Sequence, residues 1–230
     1  MAYKVLNNVS VKDVTSSDLL SLKTDLLVIV INKNTKDKVV NQLAKDVSSH
    51  LKESGSSVLV PNAKSFNAKN VLLVKGFQES DQIHKLISMY QSIAKKGNQL
   101  KAKDISIMPG TVYPKGKCEM WLIEMVAKTI ESNVYIFSET CNKTAKKPSV
   151  KKLNILVSSL TKSDLIKAKN AAKKGYAIGE GVNSAKYLGD LPANHCTPRI
   201  IEKKVKAMTK DFPKLKVKSF NENQMKKMGM

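Results

Sequence analysis

The sequence predicts an α/β layer sandwich with a mixed or largely parallel sheet, followed by one long helix and an incomplete second α/β unit. Three observations predict it. Short apolar runs bounded by polar residues alternate with stretches whose apolar residues recur every three or four positions. From Ser163 onward that helical spacing is filled mostly by Ala and Gly, which suits a helix lying close against another backbone. Beyond that helix come only two short helical stretches and one alternating run, too few elements to close a core.

The run DLLVIVIN, 25–32, is continuously apolar and reads as a strand buried on both faces. Val39, Leu43, Val47 and Leu51 then recur at fours, predicting a helix from Lys38 to Lys52 that stops at Gly55. Ser57 to Val60 and Asn70 to Lys75 read as two short strands separated by a Pro-Asn turn. Asp81 to Lys96 is helical, with Ile83, Leu86, Ile87, Tyr90 and Ile93 on one face and Gly97 as its stop. Asp104 to Met108 is a strand ended by Pro109-Gly110.

Glu119 to Glu131 predicts a helix burying Trp121 with Leu122, Met125, Val126 and Ile130. Asn133 to Phe137 reads as another strand, Glu139 to Lys152 as an exposed lysine-rich loop, and Leu153 to Ser158 as the strand that ends the sheet. Ser163 is the expected cap of the long helix, whose seam is Leu165, Ala168, Ala172, Gly175, Gly179 and Val182. Two glycines in a helix interior cost about 1 kcal/mol each, a cost that close packing offsets. Leu188, Gly189 and Asp190 end this spine, and Pro192 prevents its continuation. Thr197-Pro198 reads as the cap and first position of a helix to Lys210 with Ile201, Val205 and Met208 inward. Leu215 to Phe220 alternates as a strand does, and Asn221 opens a last short helix ending at Gly229.

The 230 residues are 42% hydrophobic and 5% aromatic, the composition of a globular protein. No apolar run approaches the ~20 residues that span a bilayer, and the N-terminus lacks a signal-peptide profile, so a cytoplasmic protein without membrane contact is expected. Cys118, Cys141 and Cys196 are far apart and show no CxxC spacing, indicating neither a disulfide framework nor a zinc site. The net charge is +21, and the last 90 residues hold 21 of the 40 basic side chains against 6 acidic ones. Such an excess attracts phosphates, but the only arginine, the residue favoured for bidentate recognition, is Arg199. A solvated lysine face is therefore preferred over a nucleic-acid site.

Several residues carry chemistry in other settings. His195 and Cys196 are adjacent, and neighbours in sequence rarely aim both side chains at one point, so a thiol nucleophile is not indicated. His50 and His84 read as surface residues of their helices. Gly175, Gly179 and Gly181 lie inside a helix, whereas a phosphate loop follows a strand. Lys75-Gly76 reads as a strand-ending turn, with a ligand-binding amide as the alternative. No catalytic or metal-binding residue is assigned; Asp190, Pro192, Asn194, Thr197 and Pro198 are assigned a structural role in a linker, with side-chain bonds of Asn194 holding the loop.

The run NSAKYLGDLPANHCTPRIIEKKVKAM followed by VKSFNENQMKKMGM resembles the leucyl aminopeptidase family of dinuclear metallo-exopeptidases, in which an Ala-Arg/Lys-x-Leu-x-Asn-x-Pro-x-Asn stretch joins a small N-terminal domain to the catalytic one. The resemblance holds in order and spacing from Ala185 to Met230, and in order of elements from Tyr3 to about Ser159. It implies a macro-domain-like N-terminal unit at 1–160, an interdomain spine at 161–188, and the start of a truncated catalytic domain at 189–230. In this family two divalent ions, zinc or manganese, activate the water that attacks the N-terminal peptide bond, and the enzyme is a cytosolic hexamer acting on peptides. The family's metal ligands and catalytic residues lie after the Gly-Met pair that here is Gly229-Met230, so this chain alone is expected to be inactive. The alternative is a stand-alone macro-like or lysine-rich module binding nucleotide derivatives or nucleic acid.

Overall fold

A computed structural model describes residues 4–32, 51–79, 81–140, 147–158 and 160–230. The sheet has six strands: β1 (Asn8–Asp13), β2 (Thr24–Ile31), β3 (Ser57–Pro61), β4 (Ala68–Lys75), β5 (Asp104–Met108) and β6 (Lys152–Val157). Their order is β1-β6-β5-β2-β4-β3, parallel throughout except for β3 against β4. The expected mixed α/β sheet is thus present.

Side chains of β2 show why its apolar run is unbroken. Leu26, Val28 and Val30 enter one core with α2 (Ile83–Gln99) and α3 (Glu119–Val134), while Leu27 and Ile29 enter another with Leu19 of α1 (Ser16–Ser21) and Phe66. A central parallel strand is covered on both faces, and its period of two distributes apolar residues to each. Burying a Leu, Ile or Val contributes about 1.5–3 kcal/mol, so this one strand is a large part of the fold's stability.

The first two elements had no counterpart in the strand and helix assignments above. β1 carries only Val9 and Val11 as apolar residues and sits at the sheet edge, pairing with β6 from Asn8↔Lys152 to Asp13↔Val157. α1 opens on a capping box: the Thr15 side chain accepts from Asp18 N at 3.3 Å, and Asp18 Oδ2 accepts from Thr15 N at 2.9 Å.

Other expectations are corrected. Asn133 to Phe137 is not a strand: α3 runs to Val134, whose carbonyl accepts from Asn98 Nδ2 at 2.9 Å. Direct pairing of β5 with β6 leaves no slot for a strand between them. Gly97 does not stop α2, which continues to Gln99; Leu100 caps it and Lys101 turns the chain at φ +53°. Instead Gly97 lets the helix approach the sheet, because a Cβ there would sit 2.7 Å from Ile105 Cδ1. Trp121 is only half-buried, with Lys117 Nζ 5.4 Å from its ring centroid. Positions 38–50 of the helix predicted from Lys38 to Lys52, His50 included, and Cys141 lie outside the described residues, while Leu51 and Lys52 are described and are not helical.

The spine is α4 (Lys162–Asp190), capped by Thr161 rather than Ser163: Thr161 Oγ1 accepts from Asp164 N at 3.1 Å. It lies along α3 and reaches β1. α5 (Pro198–Asp211) and α6 (Glu222–Lys227) follow, and neither contains a buried residue. Ile201 is exposed and Val205 and Met208 are only partly covered, so the face expected to point inward is incompletely covered by the described residues. Leu215 to Phe220 is irregular, since an alternating run becomes a strand only beside a neighbour that completes its ladder.

Candidate functional site

The seam between α3 and α4 is the most specifically built part of the molecule. Ala168, Ala172, Gly175 and Gly179 are buried along it, as the spacing predicts. The small residues are required: a Cβ on Gly175 would lie 2.0 Å from the Glu124 carbonyl oxygen, and one on Gly179 2.7 Å from Glu131 Cβ. The next seam position is Asn183 rather than Val182, which is only partly covered. Four-residue steps from Gly175 through Gly179 reach Asn183, a polar residue on an otherwise small and apolar stripe.

Asn183 meets Glu131, and both are 0% exposed. Asn183 Nδ2 donates to Glu131 Oε1 and to its backbone oxygen, each at 3.0 Å. The same carboxylate accepts from Val5 N at 2.9 Å and Leu6 N at 3.0 Å. Tyr176 of α4 adds a third tie, its hydroxyl donating to Leu6 O at 2.8 Å. Burial pushes the Glu131 carboxyl up from its ordinary value, against the lowering effect of the Val5, Leu6 and Asn183 donors; the neighbouring Glu180 charge also pushes it up. Without an acceptor here, two buried backbone N–H groups would go unpaired at about 1–3 kcal/mol each.

Sequence reasoning passed over this cluster, although a signal was present. Glu131 follows Ala127 by four and precedes Val134 by three on the buried face of α3, an acid on an apolar stripe. Two acceptors nearby, Glu180 Oε1 and Asn183 Oδ1, are buried and have no hydrogen-bond partner among the described residues. Lys4 Nζ comes within 3.8 Å of Glu180 Oε1 from an exposed position.

Farther along, Lys186 Nζ donates to Ser132 O at 2.6 Å and Tyr135 OH donates to Asp190 Oδ2 at 2.8 Å, tying the end of α4 to the end of α3. Asp190 is the last residue of α4. Pro192 sits in the loop beyond, its carbonyl accepting from His195 N at 2.8 Å and Cys196 N at 3.0 Å. Asn194 is exposed and makes no side-chain hydrogen bond among the described residues, correcting the expectation that its amide holds the loop. Thr197 caps α5 through its carbonyl, which accepts from Ile200 N and Ile201 N, and not through its hydroxyl; Pro198 occupies the first turn. His195 is exposed beside the half-covered Cys196, and His84 is exposed on α2. Lys204 joins α5 to the spine, donating to Tyr187 OH at 3.2 Å with its Nζ 4.4 Å from the ring centroid.

The other place where a fold of this kind holds ligands is the crest of the sheet, where neighbouring strands β2 and β5 lead away in opposite directions. Asn32 fills it. Its Nδ2 donates to Phe77 O at 2.9 Å, its Oδ1 accepts from Thr111 N at 3.0 Å, and a Cβ on Gly76 or Gly110 would lie 2.4 Å from its side chain. Gly76 N donates to Ile31 O at 2.8 Å, which extends the β2–β4 ladder by one bond and occupies that amide. Among the described residues no three of His, Cys, Asp and Glu converge as metal ligands would, and no helix is long and apolar enough to cross a membrane. The described residues do not fit a dinuclear metal centre.

No protein-family model matches the chain. It is similar to the cytosol aminopeptidase of Pseudomonas aeruginosa, 26% identical over 225 residues, covering 91% of this chain and 44% of that one. A probable cytosol aminopeptidase of Azotobacter vinelandii is 29% identical over 231 residues, covering 94% and 46% respectively. The chain thus spans under half the length of the curated relatives it matches. Among solved structures, a tomato leucine aminopeptidase variant superposes with a TM-score of 0.73 at 18% identity, covering all of this chain and 47% of that one. The bottromycin maturation enzyme BotP superposes with a TM-score of 0.65 at 15% identity, covering 90% and 41%. The N-terminal α/β fold of leucine aminopeptidase is therefore shared along the chain.

Proposed function

From its resemblance to the N-terminal part of the cytosol aminopeptidases, we propose that this chain is the sheet domain, spine and opening of the catalytic domain of a leucyl aminopeptidase. The observation that carries this is extent: similarity runs across 94% of the chain and takes up 46% of the relative. The division is 1–160 for the sheet domain, 161–188 for the spine and 189–230 for the first catalytic-domain segment. Asp190, Pro192, Asn194, Thr197 and Pro198 form the linker.

The complete protein, on this reading, is a cytoplasmic hexamer that releases leucine and other N-terminal residues from peptides with two zinc or manganese ions. Those ions would polarise the scissile carbonyl and activate water. This chain's own residues take the scaffolding part: the α3–α4 seam sets where the linker leaves the sheet domain. The exposed apolar residues Ile201, Phe212, Leu215, Phe220, Met225 and Met228 supply the face on which the rest of the catalytic domain is built. Assay with a leucyl anilide and added manganese or zinc tests the reading. The purified 230-residue chain should release nothing, while its fusion to the C-terminal half of the Azotobacter vinelandii relative should be active; release by the chain alone, or an inactive but folded fusion, would count against it.

A further inference from the structure

We propose that residues 4–6 act as a strap that fixes α4 against α3 through Glu131, coupling the start of the described chain to the linker at 191–197. Three separate elements converge on one buried carboxylate: the strap through Val5 N and Leu6 N, α3 through Glu131 itself, and α4 through Asn183. The strap is also held by its side chains, Val5 being 3% and Leu6 0% exposed, and by the Tyr176 hydroxyl on Leu6 O. Gly179 admits the carboxylate's own Cβ into the seam, so the helix contact and the strap share one point of closest approach.

The cluster is a poor choice if stability alone were at issue. A buried carboxylate and two buried acceptors, Glu180 Oε1 and Asn183 Oδ1, that have no hydrogen bond among the described residues cost more than apolar residues of the same shape would. What the polar arrangement supplies is position: the two backbone donors of the strap and the side-chain donor of Asn183 are satisfied together only at one register of α4 along α3. The same register sets Lys186 on Ser132 O and Tyr135 on Asp190 at the point where the linker leaves. Loosening the strap therefore loosens the far end of the spine. This coupling holds whatever the complete protein hydrolyses.

The test is amide hydrogen exchange on the full chain, comparing Glu131→Gln and Tyr176→Phe with the unsubstituted protein. Gln keeps the shape of Glu131 but turns an NH₂ toward one of its donors, so exchange at Val5, Leu6 and the 179–190 stretch should quicken together by about tenfold, with β2 and β4 unchanged. Tyr176→Phe deletes the bond to Leu6 O together with the hydroxyl's interaction with Glu180, leaves the Glu131 bonds in place, and should quicken the same two stretches by a smaller factor, about threefold. An effect of Glu131→Gln confined to residues 4–6, no effect, or an equal loss across the sheet would overturn the strap. So would a Tyr176→Phe variant that leaves residues 4–6 unchanged.

Discussion

α4 and α5 are both lysine-rich helices that begin after a threonine, yet α4 buries five residues and α5 buries none. The more amphipathic of the two is α5, whose apolar Ile201, Val205 and Met208 recur on one side. α4 has a weaker stripe made of Ala168, Ala172, Gly175 and Gly179. Burial follows the partner and not the strength of the stripe. Small residues allow α4 to bring its backbone against the Glu124 carbonyl, and α3 is there to receive it. The stronger stripe on α5 stays partly exposed, and the helix is tied to α4 through Lys204 on Tyr187 OH.

The sharpest break between the two regions is predicted under limited proteolysis. Cleavage should begin between Gly189 and Thr197 or beyond, leaving a resistant fragment near residues 1–188, because 198–230 contains no buried side chain. If 198–230 resists as long as β2 and β4 do, the segment has found a partner in another copy and the contrast drawn here is wrong.

Within α4 itself, Gly175→Ala and Gly181→Ala separate seam from surface. The first drives a Cβ to within 2.0 Å of a backbone oxygen, and the second meets nothing within 4 Å. Gly175→Ala should lower unfolding stability by about 2–3 kcal/mol despite the better helix propensity of Ala. Gly181→Ala should raise it by about 0.5–1 kcal/mol. Chemical denaturation of both variants checks the pair; equal effects would mean that the seam relaxes freely.

The smallest expected difference lies at the caps. Thr161→Ala removes a hydroxyl that accepts from Asp164 N and should cost about 1 kcal/mol. Thr197→Ala removes a hydroxyl that makes no capping bond, so its cost should fall below about 0.3 kcal/mol. Thermal unfolding of the two variants reads the difference, and a larger loss at Thr197 would show that α5 contributes to the cooperative unit.

Much of the layout was legible along the chain. The continuous run of β2 and the pattern of α3 announce their elements because periodicity records burial on one or both faces. β1 was harder, since an edge strand with two apolar residues leaves little pattern. Gly97 read as a stop and proved to be a point of contact with Ile105, a distinction between conformational freedom and close approach that local sequence does not carry. Thr15 with Asp18 was a readable capping box before α1.

By itself, the sequence determined that an Ala/Gly stripe from Ala168 to Gly179 needed a backbone close by, since those residues leave room for nothing else to fill the seam. It also determined that α4 breaks before Pro192, which has no N–H to continue a helix. Only the tertiary structure decided that the partner is α3, that the stripe continues through Asn183, and that Glu131 gathers Val5, Leu6 and Asn183 around one carboxylate. Those contacts join positions more than 50 residues apart, and the hydrogen-bonding needs of a buried acid are met by whichever donors the fold brings to it.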